Sequence, residues 1–371
     1  MRILFAGGGT GGHLYPGLAI ARALVRLDPA VTPFFVGARR GIEREVLPGS
    51  GFPFELLDLH PLYRAQPWHN WKTVRGATGA WHRLGSLVRA DRPVAVVGTG
   101  GYAAGVALGY AARHHIPIFV QEQNSVPGLT TRFFSRYARE VFLGYPEAEH
   151  YMRHGRGTVF VDSGNPIEPP PVPLPSREAA RARWGIPEGG GHVLLIYGGS
   201  QGSRALNQVV DAWVARGVPS GLYVIWATGR AHYDAFAHRD GGQVRVRPYL
   251  SPIAEAYAAS DLALTRAGAM TTAELLAWGI PPVLVPLPTA AADHQTANAV
   301  ALERAGAAVN VPQASLTPER LGATVQELMA APERLARMRA AGAQRAQPHA
   351  AEAIARRILE ACAPTAAAAD L

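Results

Sequence analysis

One cysteine, Cys362, and one lysine, Lys72, stand among 371 residues. A lone thiol cannot close an internal disulfide and removes every cysteine-rich zinc pattern, so nothing in the composition points to an oxidising compartment, and the cytoplasm is the default. No Asp-x-Asp pair occurs, and the nearest approach to a metal pattern is His150 and His154, one helical turn apart and flanked by Glu147 and Glu149. Those four read as a solvated helix face, and no metal is expected. Long apolar runs are missing too: the one uncharged stretch of membrane-spanning length, 93–112, carries five glycines and reads as strand, turn and helix. The N-terminus MRILFAGGG leads into a glycine loop where a signal peptide would need an apolar core, so no export signal is expected.

Hydrophobic residues at 48% and charged residues at 17% describe a well-packed globular chain, which sets disorder aside. At about 150 residues per domain the length predicts two domains and a remainder. Lys and Arg number 36 against 28 Asp and Glu, for a net charge of +8 carried almost wholly by arginine. That balance favours acidic partners, and nucleic acid, anionic lipid or a phosphorylated small molecule would each qualify.

Short apolar runs alternate with helical patterns: strands are expected at 2–6, 31–36, 94–98, 116–121 and 140–143. This is the signature of a parallel sheet covered by helices. Six prolines between Pro166 and Pro175 interrupt it with a semi-rigid connector. After a helix near 176–184 the alternation restarts, with strands at 192–197, 222–227, 244–248, 261–265 and 282–286. The expected fold is α/β, with two doubly wound domains, 1–165 and 176–348, joined by the linker 166–175. Ligands of such sheets bind at the carboxyl ends of the strands, so the reactive site is expected in the cleft between the domains. The helix 349–362 could cross back to the first domain, and 363–371 reads as a tail.

The first glycine loop, Gly7 to His13, follows a strand and opens a helix at Pro16, so its amides are expected to face a ligand. It also satisfies G-x-G-x-x-G through Gly7, Gly9 and Gly12. NAD is disfavoured because the second strand ends in Arg39-Arg40 where an acidic residue is needed, while NADP, held by those arginines, stays an alternative. A second loop, Gly198-Gly199-Ser200-Gln201-Gly202-Ser203, occupies the matching position in the second half. A third stretch, Arg266 to Glu274, sets a helix N-terminus beside an arginine, with Glu274 about one turn in. That suits a diphosphate at the helix end and a ribose on Glu274; the plain alternative is a capped helix with a solvated carboxylate.

GGTGGHLYPGLAIA, GTGGYAAG, QEQNSVPGLT, SGNP, GGSQGSRALN, TRAGAMTTAE and DHQTANA follow one another in order, and together they resemble the MurG family. The resemblance implies the GT-B fold. It also implies transfer of N-acetylglucosamine from UDP-GlcNAc to an undecaprenyl-diphosphate-linked N-acetylmuramyl-pentapeptide, with no cofactor. It puts Thr10, Gly11, Gly12 and Asn124 near the donor sugar and diphosphate, Ser200 and Gln201 at the diphosphate, and Leu250 at uracil. Arg266, Ala269, Met270, Thr271, Thr272 and Ala273 would surround the phosphates, Glu274 the ribose, and His294 and Gln295 the sugar hydroxyls. Gly100, Gly101 and Tyr102 would face the acceptor. Three departures stand out: Glu168 where the family usually has arginine, Gln121 where many members have histidine, and Val106 where proline is common.

Transfer from an α-linked donor to a β-1,4 product inverts the anomeric carbon and needs one general base. His13 is the leading candidate, because histidine titrates near operating pH, and Glu122 is the reserve. The alternative for His13 is capping or packing of the first helix. From Leu59 to Ala90 no acidic residue occurs, while Arg64, Lys72, Arg75, Arg83 and Arg89 alternate with Trp68, Trp71 and Trp81. Trp71, Val74, Trp81, Leu84 and Val88 fall near one helical face, which reads either as an interfacial anchor to anionic lipid or as a core-facing helix with a basic back. The expected location is peripheral, on the cytoplasmic face of the cell membrane, with other cell-wall synthesis proteins as possible partners. No nucleic-acid motif accompanies the charge.

Overall fold

The computed structural model describes residues 1–63 and 66–363. Arg64 and the expected tail from 364 onward lie outside the described residues. Contacts divide the chain into two compact units, Met1–Glu168 together with the chain from His349 on, and Pro169–Pro348.

Among the described residues the first unit holds seven strands: β1 Arg2–Ala6, β2 Thr32–Ala38, β3 Phe54–Leu57, β4 Ala95–Gly98, β5 Ile118–Glu122, β6 Glu140–Leu143 and β7 Val159–Asp162. They lie in the order β3-β2-β1-β4-β5-β6-β7, all parallel. The second unit holds six: β8 His192–Tyr197, β9 Leu222–Ala227, β10 Val244–Arg247, β11 Leu262–Thr265, β12 Pro282–Leu284 and β13 Val309–Asn310, in the order β10-β9-β8-β11-β12-β13 and again parallel. Strand order reverses beside β1 and β4 in one sheet and beside β8 and β11 in the other. Loops leaving the carboxyl ends at such a reversal splay apart, and that opening is where doubly wound sheets take their ligands.

Three strands escaped the sequence reading, β3, β7 and β13, and all three are edge strands. Central strands are buried on both faces and read as unbroken apolar runs. Phe5 and Phe35, in register on β1 and β2, stack at 5.1 Å. Edge strands such as Val159–Asp162 are half exposed, so their apolar run is short or broken.

The first helix spans Gly11–Leu27 and so begins five residues before the expected start, with Pro16 inside it. Proline supplies no N–H, so the Gly12 carbonyl one turn earlier has no helical donor. At the far end of the chain, helix Ala350–Cys362 buries Ala351, Ile354, Ala355 and Ile358 in the cluster that holds Leu14, Leu18 and Phe5. Full burial of each isoleucine contributes about 1.5–3 kcal/mol. Arg357 pairs with Glu140 at 2.6 Å and Arg139 donates to the Ala361 carbonyl at 2.8 Å, which fixes this helix against the first unit.

Two expectations need correction. His150 and His154 do not share a helical face: a 3-10 helix ends at Tyr151, and the His154 ring lies beyond it against Phe160 at 4.5 Å. The basic tryptophan helix, Asn70–Ala90, does not present one continuous face either. Leu84 is buried in the core, Trp81 rests on the Tyr110 ring at 5.0 Å, and Arg83 forks onto Glu55 through two 3.0 Å bonds. Only Trp71 and Val74 at its N-terminal end, with Trp68 in the 3-10 turn just before it, keep large apolar side chains well exposed. Among the described residues no helix is long and apolar enough to cross a membrane.

Candidate active site

In the first unit the loops after β1 and β4 pack on each other. Gly101 has φ 75°, and a Cβ there would stand 2.1 Å from the Gly8 carbonyl oxygen, so only glycine permits the approach. Thr99 Oγ1 donates to the His13 carbonyl at 2.7 Å, and Tyr102 lies against Gly9. The loop rests on a residue the sequence reading missed. Glu43 is fully buried, and its Oε1 accepts from Gly9 N and Ala38 N, both at 3.0 Å. Gly8 N meanwhile points to the Gly100 carbonyl at 3.4 Å. Two amides expected to face a ligand are thus taken up internally, which corrects the reading of this loop as an open anion cradle.

His13 is half buried, and its Nδ1 lies 3.0 Å from Thr10 Oγ1. That contact explains why Thr10, although it precedes the helix, does not cap it with its side chain. Glu122, the reserve candidate, is bound into the loop that follows its own strand. It is 2% exposed; Oε1 accepts from Asn124 N at 3.1 Å and Asn124 Nδ2 at 3.3 Å, and Oε2 from Gly128 N at 3.3 Å. Burial pushes its carboxyl upward, against the pull of those bonds and of one from Thr131. The carboxylate is a clamp that closes the 123–128 loop, and it holds the Asn124 amide on itself.

Gly100 and Gly101 form the floor of this region. Tyr102 is half buried, and burial, then the nearby Glu43 carboxylate, pushes its phenol above the usual value, which keeps it protonated. Gln121, at the histidine position of the family pattern, is buried and donates to Asn165 Oδ1 at 3.2 Å. Glu168 is exposed.

In the second unit a cavity of about 420 Å³ opens at the carboxyl ends of β8 and β11. Gly198, Gly199, Arg266, Gly268, Thr271 and Gln295 line it, so it gathers residues from the second glycine loop, the Arg266 stretch and the helix His294–Arg304. Ser203 of the second glycine loop also lines it, as do Leu287 and Gln313, which no motif marked. Ser203 caps the helix Arg204–Val214 through Leu206 N and accepts from Arg266 Nη2 at 2.7 Å.

Arg266 corrects a second expectation. It is 6% exposed and donates to Ser203 Oγ, to Gln313 Oε1 at 2.6 Å, and to the Val285 and Pro286 carbonyls at 3.1 and 3.2 Å. All four acceptors are neutral, and its buried Nε has no partner. The guanidinium is therefore not a free arm but a fixed positive charge in the cavity wall, with burial lowering its pKa from the usual value.

Helix Ala269–Ala277 starts at Gly268 without a capping side chain. Thr271 faces the cavity, whereas buried Thr272 donates back to Gly268 O and Ala269 O, so its side chain serves the helix. Glu274 is neither free nor merely solvated: Tyr257 donates to its Oε2 at 2.7 Å, and Tyr257 and Tyr197 meet hydroxyl to hydroxyl at 3.0 Å. Burial raises both phenols, so they stay donors. Leu250 belongs to the same buried cluster as the two tyrosines. Gln295 Oε1 accepts from Leu287 N at 3.0 Å, and the half-buried His294 turns its Nδ1 to Ala291 O at 2.6 Å. Ser200 and Gln201 are exposed at the loop tip, Ala269 is buried, and Met270 and Ala273 are half buried. Among the described residues no three His, Cys, Asp or Glu side chains gather as metal ligands.

Comparison with known proteins places this geometry in a family. Residues 3–143 match the N-terminal domain of glycosyltransferase family 28 and residues 193–354 its C-terminal domain. A protein of Chlorobium limicola is 38% identical, covering 98% of this chain and 100% of its own length; one of Desulforudis audaxviator is 41% identical, covering 95% and 96%. Both are named UDP-N-acetylglucosamine--N-acetylmuramyl-(pentapeptide) pyrophosphoryl-undecaprenol N-acetylglucosamine transferase. The crystal structure of Acinetobacter baumannii MurG superposes with a TM-score of 0.76 at 28% identity, over 97% of this chain and 99% of that one. These likenesses leave no place for the NADP alternative, and the chain belongs to the MurG family of GT-B glycosyltransferases, carrying both domains of family 28.

Proposed function

We propose that this protein transfers N-acetylglucosamine from UDP-GlcNAc to the C4 hydroxyl of undecaprenyl-diphosphate-linked N-acetylmuramyl-pentapeptide, with inversion at the anomeric carbon. The observation that carries the reading is the cavity at the switch point of the second sheet. There a glycine turn, the uncapped N-terminus of helix Ala269–Ala277 and the buried Arg266 guanidinium all present positive potential to one space. Each helix N-terminus carries roughly half a positive charge. A diphosphate leaving group needs stabilisation of this preorganised kind, which is worth about 10²–10³-fold per donor in comparable sites. Glu274, aimed by Tyr257, takes the ribose hydroxyls, and Gln295 fixes the 287–295 loop beside the sugar.

On the first unit His13 removes the proton of the acceptor hydroxyl as its oxygen attacks the anomeric carbon, and the electron pair of the broken bond leaves with UDP. A positioned base contributes about 10²–10⁴-fold. Gly100, Gly101 and Tyr102 shape the acceptor side. The lipid-linked acceptor calls for docking on the cytoplasmic membrane face, and the 3-10 turn Pro67–His69 with the start of helix Asn70–Ala90 supplies apolar and basic groups for it in Trp68, Trp71, Lys72 and Arg75. Trp81 and Arg83 have internal partners and contribute less.

The test is UDP release with a soluble lipid-linked muramyl-pentapeptide analogue in EDTA. Turnover is expected without added metal, with Glu274→Ala abolishing donor use and His13→Ala lowering kcat about 100-fold. Failure of UDP-GlcNAc to turn over would overturn the assignment. Flotation with anionic vesicles tests the docking surface: Trp71→Ser with Lys72→Glu should release the protein, and unchanged flotation would remove that surface from the proposal.

A further inference from the structure

Beneath the two glycine loops of the first unit, a buried side-chain oxygen has no partner. Gln123 is 2% exposed, and its Nε2 donates to the Thr99 carbonyl at 2.9 Å, to the Gln121 carbonyl at 3.2 Å and to Gln121 Oε1. These acceptors fix which way the amide faces: nitrogen toward them, oxygen away. That oxygen, Oε1, is shut off from solvent and accepts no hydrogen bond. Native proteins leave few buried acceptors in this state, and one inside a reactive region calls for a role.

Its neighbour supplies one. A Cβ built on Gly100 would stand 2.8 Å from His13 Cδ2, 3.3 Å from His13 Nε2 and 3.7 Å from Gln123 Oε1. The Nε2 edge of the ring and the amide oxygen therefore flank the same glycine, while the Nδ1 edge faces Thr10. We propose that Gln123 is a positioning residue that raises the basicity of His13, its amide oxygen stabilising the imidazolium formed when His13 takes the acceptor proton. In that step the acceptor O–H bond breaks and an N–H bond forms on His13. The negative end of the Gln123 dipole, fixed in a low-dielectric site, favours the charged ring over the neutral one. Among the described residues, Glu43 lies under Gly8 and Gly9, the Tyr102 phenol stands against Gly9 with Arg40 and Tyr63 near it, and Glu122 is closed in its own loop. Glu43 is left intact in the test.

The inference rests on His13 being the base, and the experiment separates the two. kcat is measured against pH at saturating UDP-GlcNAc for wild type, His13→Ala, Gln123→Met, which removes the oxygen, and Gln123→Asn, which withdraws it by one methylene while keeping an amide. A base must be neutral to act, so kcat rises with pH through its pKa. Weakening the imidazolium lowers that pKa. The acidic limb should therefore move about 0.5–1 pH unit down in Gln123→Met, and less far in the same direction in Gln123→Asn, with the plateau about 5–10-fold lower and donor KM within about twofold. A limb that stays at the wild-type position in either folded variant overturns the role of Gln123, because a merely structural loss lowers the rate without moving the midpoint. If His13→Ala keeps kcat within about threefold, the base assignment itself falls and this inference with it. If His13→Ala loses about 100-fold and the limb does not move, only Gln123 is excluded.

Discussion

Each unit carries a glycine turn at the switch point of a parallel sheet, yet opposite charges lie beneath the two turns. Under Gly8 and Gly9 sits the Glu43 carboxylate, fully buried, with Oε2 unpartnered. Under Gly198–Ser203 sits the Arg266 guanidinium, 6% exposed, held by neutral oxygens alone, with Nε unpartnered. A buried unit charge roughly 5–8 Å from a ligand, at an effective dielectric near 20, is worth about 2–3 kcal/mol. Such a term disfavours a phosphate at the first turn and favours one at the second. On the proposed mechanism the two glycine loops thereby carry opposite tasks, with the base beside the first and the diphosphate leaving group at the second.

The largest effect expected from this contrast is at Arg266. Arg266→Ala removes the positive charge and leaves Ser203 Oγ, Gln313 Oε1 and two carbonyls without their donor. Donor KM should rise about 100-fold, in line with a lost charged hydrogen-bonding group at about 1.5–3 kcal/mol, and thermal unfolding should fall with it. Titration of UDP into the variant reads the first effect. UDP affinity within about threefold of wild type would mean that backbone amides alone hold the diphosphate, and the charge contrast would lose its second half.

Glu43 gives the next effect, and of the opposite kind. Glu43→Ala deprives Gly9 N and Ala38 N of their acceptor, whereas Glu43→Gln keeps an oxygen in place and removes only the charge. The alanine variant should lose about 1–3 kcal/mol of stability by denaturant unfolding. The glutamine variant should fold near wild type but turn over about tenfold more slowly, with UDP binding unchanged, because the charge acts on the base and not on the donor. A glutamine variant of full activity would reduce Glu43 to a scaffold for the loop.

How far the sequence carried the reading follows from the same residues. Central strands such as His192–Tyr197 were legible because burial on both faces demands an unbroken apolar run, and the edge strands β3, β7 and β13 were not, since little of that demand reaches them. Glycine turns were legible from their composition and their place after a strand. What lies under them was not. Glu43 is 34 residues from the Gly9 amide it accepts from, and nothing in GIEREV marks it; Tyr257 is 17 residues from Glu274 and lies in an ordinary helix. The reading of Glu122 as a base followed residue type, while its three loop bonds depend on a fold of 123–128 that no local pattern reveals.

Tyr257 gives the smallest effect and sharpens the contrast from the donor side. Its hydroxyl reaches Glu274 Oε2 at 2.7 Å and is backed by Tyr197, so a chain of two phenols helps to aim the carboxylate. Burial raises both phenols, and a raised phenol pKa means the protonated donor persists through neutral and mildly alkaline pH. Donor KM of the wild type should therefore stay level from about pH 7 to 9 as far as this chain is concerned. Tyr257→Phe removes the bond and almost no volume, so the expected change is a rise in donor KM of about 5–10-fold, the equivalent of about 1 kcal/mol, with kcat little altered. A donor UDP analogue lacking the ribose hydroxyls separates this from a general loosening of the cavity. It should bind the variant and the wild type alike, because the aim of Glu274 matters only to a ligand that uses it; if the analogue weakens in parallel, Tyr257 supports the cavity wall and Glu274 is oriented by other contacts.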